Sequence, residues 1–171
     1  MNTKKIALIS ILVAIGLIIF IVEAQVPLPL PLPGVKLGLA NTVTLFALFY
    51  DKTSGGIKLG TKDAFVVLLC RILLGAVFTG RLIAFAYSLV GGLLALSAQV
   101  ISKSFVTEKQ VWVCSAIGAV FHNTGQIFAA VVITGTVGII YYLPVLIIAG
   151  VLTGTLTGFV AQITLTRLSA K

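Results

Sequence analysis

At 171 residues, 59% of them hydrophobic and only 9% charged, the chain cannot be an ordinary soluble domain, which carries about 25% charged residues. Its mean hydropathy of +1.19 and its long uncharged runs point to a polytopic membrane protein with little chain left for a soluble unit. The net charge of +8 does not indicate nucleic acid, since the basic residues are scattered between apolar runs rather than gathered on one surface. That scatter fits membrane orientation and contact with anionic lipid.

Lys4 and Lys5 precede the first apolar run, 6–22. A signal peptide cut near Val22-Glu23-Ala24 is one reading. The length of the run and the spans that follow favour an uncleaved first span. Ala7, Ser10 and Ala14 share one helix face, where small side chains permit close approach of another helix. The next stretch, Val26-Pro27-Leu28-Pro29-Leu30-Pro31-Leu32-Pro33, cannot be helical, because each proline removes a donor and restricts its predecessor. It reads as a stiff, extended segment, either a lid over a cavity or a rigid connector.

A second span is expected over 37–50, opened by Gly34 and Gly38, followed by a polar loop from Asp51 to Lys62. The spacing of Gly55 and Gly60 mimics a phosphate loop, but Thr61 stands where lysine is required and no strand precedes it, so a nucleotide site is excluded. Further spans follow over 64–80, with Arg71 near the centre, 82–101, with Gly91-Gly92, and 111–133, with His122. A break near Thr134–Gly138, with Tyr141 and Tyr142 as interfacial anchors, separates these from a last span over 141–166. Pro144 falls in the first turn or two of that span, and Gly150, Gly154 and Gly158 make a smooth packing stripe along it. Cys70 and Cys114 lie within apolar runs and read as small buried side chains.

Residues 1–171 thus read as one integral membrane domain, all-α, a six-transmembrane-helix bundle. Lysine and arginine placement sets its orientation. Lys4, Lys5, Lys52, Lys58, Lys62, Lys103, Lys109, Arg167 and Lys171 fall on one side, and only Lys36 and Arg81 on the other. The rule that positive loops stay inside makes this a multi-pass cell-membrane protein with both termini cytoplasmic and the proline run outside.

The candidate substrate-binding residues are Lys36, Asn41, Arg71, His122, Asn123 and Gln126. A charge at bilayer depth costs at least about 2.5–3.5 kcal/mol, so it faces a cavity or a partner. Lys36 either does so or snorkels to the outer interface. For Arg71 the sequence offers no acid at comparable depth, since Glu23 and Asp63 sit at span ends. An anionic ligand completes it, or else backbone carbonyls or Asn123 and Gln126 do. His122 and Gln126 are one helical turn apart on one face, with Asn123 beside them and Gly118 and Gly125 keeping the helix slim. This patch either orients a small molecule or bonds helices together. No catalytic site, cofactor or metal is expected. One histidine and scattered acids cannot build a metal centre, two aspartates twelve residues apart cannot hold a magnesium diphosphate, and His122 has no acidic orienter nearby.

Three segments, in this order, resemble the Gx transporter family: Pro33-Gly34-Val35-Lys36-Leu37-Gly38-Leu39-Ala40-Asn41, Arg71-Ile72-Leu73-Leu74-Gly75 running on to Thr79-Gly80, and Gly118-Ala119-Val120-Phe121-His122-Asn123-Thr124-Gly125-Gln126. That family, often labelled a heptaprenyl diphosphate synthase component, is similar to the S components of energy-coupling factor (ECF) transporters. The resemblance implies a six-helix bundle that binds a vitamin-like or other small molecule from outside, with the loop after the first helix closing the site. It also implies a transmembrane coupling subunit and cytoplasmic ATPases, which topple the bundle to release its cargo. S components dock the coupling subunit through an Ala-x-x-x-Ala pattern on the first helix; the nearest equivalent here is Ser10-x-x-x-Ala14. The leading expectation is therefore the substrate-binding membrane subunit of an ATP-driven importer of a small, anionic or polar, vitamin-like or precursor molecule. The alternative is a non-transport membrane subunit that recruits or stabilises a polyprenyl-synthesis or electron-transfer enzyme. A self-sufficient secondary transporter would want an intramembrane acid for ion coupling, and the sequence shows no evident one.

Overall fold

The computed structural model describes residues 3–25, 36–52 and 57–169. The proline run, with Gly34 and Val35, lies outside the described residues, and so does the choice between lid and connector. Six helices account for nearly all of the rest: α1 (Thr3–Glu23), α2 (Asn41–Phe49), α3 (Thr61–Thr79), α4 (Leu82–Lys103), α5 (Val111–Thr134) and α6 (Leu143–Ser169). A two-residue antiparallel ladder, β1 (Asp51–Lys52) with β2 (Ile57–Lys58), closes the turn between α2 and α3. The fold is all-helical otherwise.

Four segments are long and apolar enough to cross a membrane: α1, α4, α5 and Val137–Leu168, which takes in all of α6 but its last residue. This is a membrane protein by that measure. The other two expected spans look different. Helix α2 has nine residues, about 13.5 Å at 1.5 Å per residue, against a hydrocarbon core of about 30 Å. The chain uses 36–40 for an irregular turn, with Gly38 at a φ of +82°, before the helix begins. Helix α3 has nineteen residues but carries Lys62, Asp63 and Arg71.

Local chemistry sets the helix ends. The Asp63 carboxylate accepts the Gly60 N–H at 2.9 Å at the start of α3, where an acid also opposes the helix dipole favourably. Helices α3 and α5 stop at Gly80 and Gly135, both left-handed, each donating its N–H back to the carbonyl four residues earlier. A 3₁₀ turn, Val137–Tyr142, follows α5 with Tyr141 fully on its outer side, and Pro144 is the second residue of α6, where no intrahelical N–H is needed. Thr124, Thr134, Thr153 and Thr157 each return their hydroxyl to the carbonyl four residues back, which satisfies them within apolar surroundings.

Helix α5 packs between α4 and α6. A Cβ on Gly125 would sit 2.8 Å from Gly91 Cα, so α4 and α5 meet almost backbone to backbone. The stripe of Gly150, Gly154 and Gly158 lies against Asn123, Ala119, Ala116, Ser115 and Trp112 of α5, as its spacing predicts. Trp112 and Phe159 stack at 5.3 Å along the same seam. Helix α1 meets α3 through Gly16, which abuts the Arg71 stem, and through Phe20, which lies over Gly75. The other small-residue face of α1, Ala7, Ser10 and Ala14, is exposed. Both cysteines are free, and Cys114 is buried against Ser102 and the Gln99 carbonyl.

A Cβ on Gly154 would fall 2.7 Å from Ala119 Cβ and 3.0 Å from the Ser115 carbonyl. Gly154→Leu is expected to destabilise the α5–α6 seam by about 1–3 kcal/mol, the usual cost of overpacking. Thermal unfolding in detergent followed by Trp112 fluorescence checks this; an unchanged midpoint would show that the seam is looser than described.

Candidate functional site

The site is built where the end of α1, the 36–40 turn, the start of α2 and the middles of α3, α4 and α5 converge. Arg71 is 3% exposed. Its Nη2 donates to Asn41 Oδ1 at 2.8 Å, its stem lies on Gly16, and its Cζ is 6.0 Å from the Phe20 ring centroid. Arg71 therefore faces the bundle interior, not lipid.

Lys36 is also buried, with its ammonium 3.1 Å from the Phe20 ring centroid, so one aromatic ring serves both cations. Such contacts are worth about 2 kcal/mol or more when desolvated. The Lys36 main chain is held by Gln126, whose Oε1 accepts the Lys36 N–H and whose Nε2 donates to the Lys36 carbonyl, both at 2.8 Å. This satisfies irregular backbone inside an apolar bundle, which water cannot do there.

Glu23 changes the expected electrostatics. Sequence position puts it at a span end, with Arg71 lacking an acidic partner. It is instead 5% exposed, accepts a hydrogen bond from the Gly38 N–H, and lies close enough to Lys36 and Arg71 for its charge to act on both. The signal for it was present in the sequence. Gly16, Phe20 and Glu23 repeat at spacings of four and three, so whichever face buries Phe20 buries Glu23 too.

His122 packs on the same turn. The position a Gly38 Cβ would take is 2.5 Å from His122 Cδ2 and 3.1 Å from both His122 Nε2 and Asn41 Nδ2. Gly38 is thus required twice, for its positive φ and for this approach. Of the six predicted site residues, Lys36, Asn41, Arg71, His122 and Gln126 are brought together. Asn123 is not. It turns to α6, where its Nδ2 donates to the Leu146 carbonyl at 2.6 Å and Gly150 makes room for it.

Buried polar atoms in folded proteins are overwhelmingly paired. Among the described residues, four of the seven unpartnered atoms belong to the site or its cleft: Asn41 Nδ2, Arg71 Nε, Gln99 Oε1 and His122 Nδ1; Thr44 Oγ1 lies one turn further along α2, and Asn123 Oδ1 and Gln162 Oε1 lie outside the site. Each such group costs about 1–3 kcal/mol unless something pairs with it. Past Asn41 a narrow cleft of about 10 Å³, room for roughly one water, is walled by Leu37, Gly38, Gln99, Ser115, Thr153 and Thr157. The arrangement can hold a small polar or anionic group by hydrogen bonds and charge.

A model of the heptaprenyl diphosphate synthase component I family matches residues 12–164, so the chain belongs to that family. No curated protein and no solved structure matches it.

Gln126→Leu removes two hydrogen bonds from the Lys36 main chain, each worth about 0.5–1.5 kcal/mol net. Amide hydrogen exchange at Leu37 to Ala40 is expected to rise roughly tenfold or more, while the α5–α6 seam stays protected. Unchanged exchange in the turn would mean that Glu23 and Phe20 suffice to hold it.

Proposed function

We propose that this member of the heptaprenyl diphosphate synthase component I family is the substrate-binding membrane subunit of an ATP-driven, ECF-type importer for a small anionic or polar molecule. The observation that carries the proposal is the concentration of unpartnered buried donors and acceptors around Arg71, Asn41 and His122. A structural arginine would be expected to have its donors met by carbonyls; the unpartnered Nε favours a ligand instead. In this reading the bundle spans the cell membrane six times, with α2 and the 36–40 turn together making one crossing and both termini cytoplasmic. The chain has no phosphate loop, so energy comes from partners: a transmembrane coupling subunit and cytoplasmic ATPases. The uncovered Ala7, Ser10 and Ala14 face of α1 gives the coupling subunit a smooth surface to meet.

Admission of a substrate requires the 36–40 turn to swing away from Gln126, since the closed cleft holds about one water. Gly38 is the natural pivot. Synthesis of a polyprenyl diphosphate, the chemistry named in the family description, has no support in the chain's own residues, because its two aspartates, Asp51 and Asp63, are twelve residues apart. A subunit that recruits an enzyme is a separate matter and would show itself by co-purification with that enzyme. Buried Glu23 does supply the acid that an ion-coupled carrier needs. Uptake measured with and without the ATPases separates that mode from ATP-driven import.

The protein extracted gently in detergent is expected to retain a small molecule without ATP, detectable by native mass spectrometry. Arg71→Ala should weaken retention by about 10–100-fold, the equivalent of one or two charge-assisted contacts. Full retention by the variant would remove Arg71 from the site.

A further inference from the structure

Resting on the capture reading above, the charge balance of the site narrows the class of molecule it takes. The buried cluster brings together two basic side chains, Lys36 and Arg71, and one acidic side chain, Glu23, which holds the Gly38 turn two residues from Lys36. Counted by formal charge, with His122 neutral, the cluster sums to +1; Arg81, which also acts on Lys36, is exposed and lies outside the buried set. Among the acids whose side chains are described, the other one is engaged elsewhere. Asp63 pairs with Lys5 at 2.9 Å. Asp51 follows Asn41 by the whole length of α2, about 15 Å, and Glu108 precedes His122 by fourteen residues, about 20 Å. The proline run 26–35 has no titratable side chain to contribute.

The two halves of the site differ in kind. Around Arg71 the unpartnered groups include the donors Nε of Arg71 and Nδ2 of Asn41. Beyond Asn41 the cleft wall is uncharged, with Gln99, Ser115, Thr153 and Thr157, and Gln99 Oε1 is an unpartnered acceptor buried there. Asn41 joins the halves, since it bonds Arg71 and also borders the cleft.

We propose that the site selects molecules with a singly negative head group, a carboxylate in preference to a phosphate monoester, and a neutral hydrogen-bonding body, and that Glu23 sets this limit. One negative charge cancels the excess of the cluster. A doubly charged head would leave a net anion beside Glu23, away from water, where uncompensated charge is costly. Glu23 is a positioning and selectivity residue here: it holds the Gly38 turn and subtracts one unit from the field the head group meets.

The test uses the full chain in detergent and four probes that share one ring: benzoate, doubly ionised phenyl phosphate, benzamide and benzylammonium. Binding is read by titration calorimetry. Benzoate is expected to bind at least tenfold tighter than the other three. Glu23→Gln raises the sum to +2 and should invert the order of benzoate and phenyl phosphate, whereas Glu23→Asp should keep it. Should Glu23→Gln fail to fold, Lys36→Gln lowers the sum to zero, and benzamide should then overtake benzoate. Equal responses to all four probes, absence of binding included, or a Glu23→Gln protein that still prefers benzoate, would overturn the proposal. Mass spectrometry of the naturally retained molecule reports on capture separately. A neutral or doubly charged head sinks the charge limit and leaves capture standing; a wild-type protein that retains nothing strikes capture itself.

Discussion

A guanidinium inside an apolar bundle sets the terms for the residues around it. Arg71 keeps its charge wherever it is placed, and losing water without replacement would cost several kcal/mol. The fold supplies replacements from three directions: the Asn41 amide, the Phe20 ring and the Glu23 charge. Each demand has a consequence in the backbone. Asn41 has to open α2 at the depth of Arg71, so the chain turns at Gly38 instead of entering the helix at residue 37. Phe20 and Glu23 have to lie on the inner face of α1, which leaves its small-residue face outward. Gly16 and Gly75 stay small because the arginine stem and the phenyl ring occupy the space where their side chains would be.

The same economy governs the amides. Irregular main chain cannot be left unpaired where water is scarce, and the turn at Lys36 is paired by the Gln126 side chain much as a neighbouring strand would pair it. Asn123, one residue around the helix from His122, pins α6 through the Leu146 carbonyl. Three polar residues on one turn of α5 therefore serve three neighbours: His122 the Gly38 turn, Gln126 the Lys36 main chain, Asn123 the sixth helix. Their closeness in sequence is not closeness in role.

Much of the architecture was legible from residue spacing. The every-fourth glycine of α6 announced a packed seam, because small residues at that interval can only line one face. Arg71 was legible as an inward group, because lipid would not tolerate it. Helix α2 was not, since the apolar run 37–50 has the composition of a span, and only the left-handed Gly38 reveals that its first residues are turn. Glu23 was misjudged for a related reason: its nearness to the end of an apolar run suggested water, whereas burial depends on which face of α1 it shares, and it shares that of Gly16 and Phe20. The pattern of spacings contained this, but position along the run obscured it. Asn123 could not have been separated from His122 and Gln126 without knowing that α6 runs along that side.

Binding by a site this closed requires that opening be cheap relative to what a ligand gains. Releasing the turn gives up two hydrogen bonds to Gln126 and one to Glu23, at about 0.5–1.5 kcal/mol each for the neutral pairs and about 1.5–3 for the charged one. Against this stand the unpartnered atoms of Asn41, Thr44, Arg71, Gln99 and His122, each worth about 1–3 kcal/mol to whatever pairs with it. The bonds given up are the smaller side, so a ligand that pairs with even two or three of these atoms can offset the opening. A ligand moves such an equilibrium only by its differential affinity for the two states. Molecules that meet Arg71 Nε and Asn41 Nδ2 together satisfy groups that closure alone leaves wanting, and a molecule meeting neither has no means of holding the turn shut over itself.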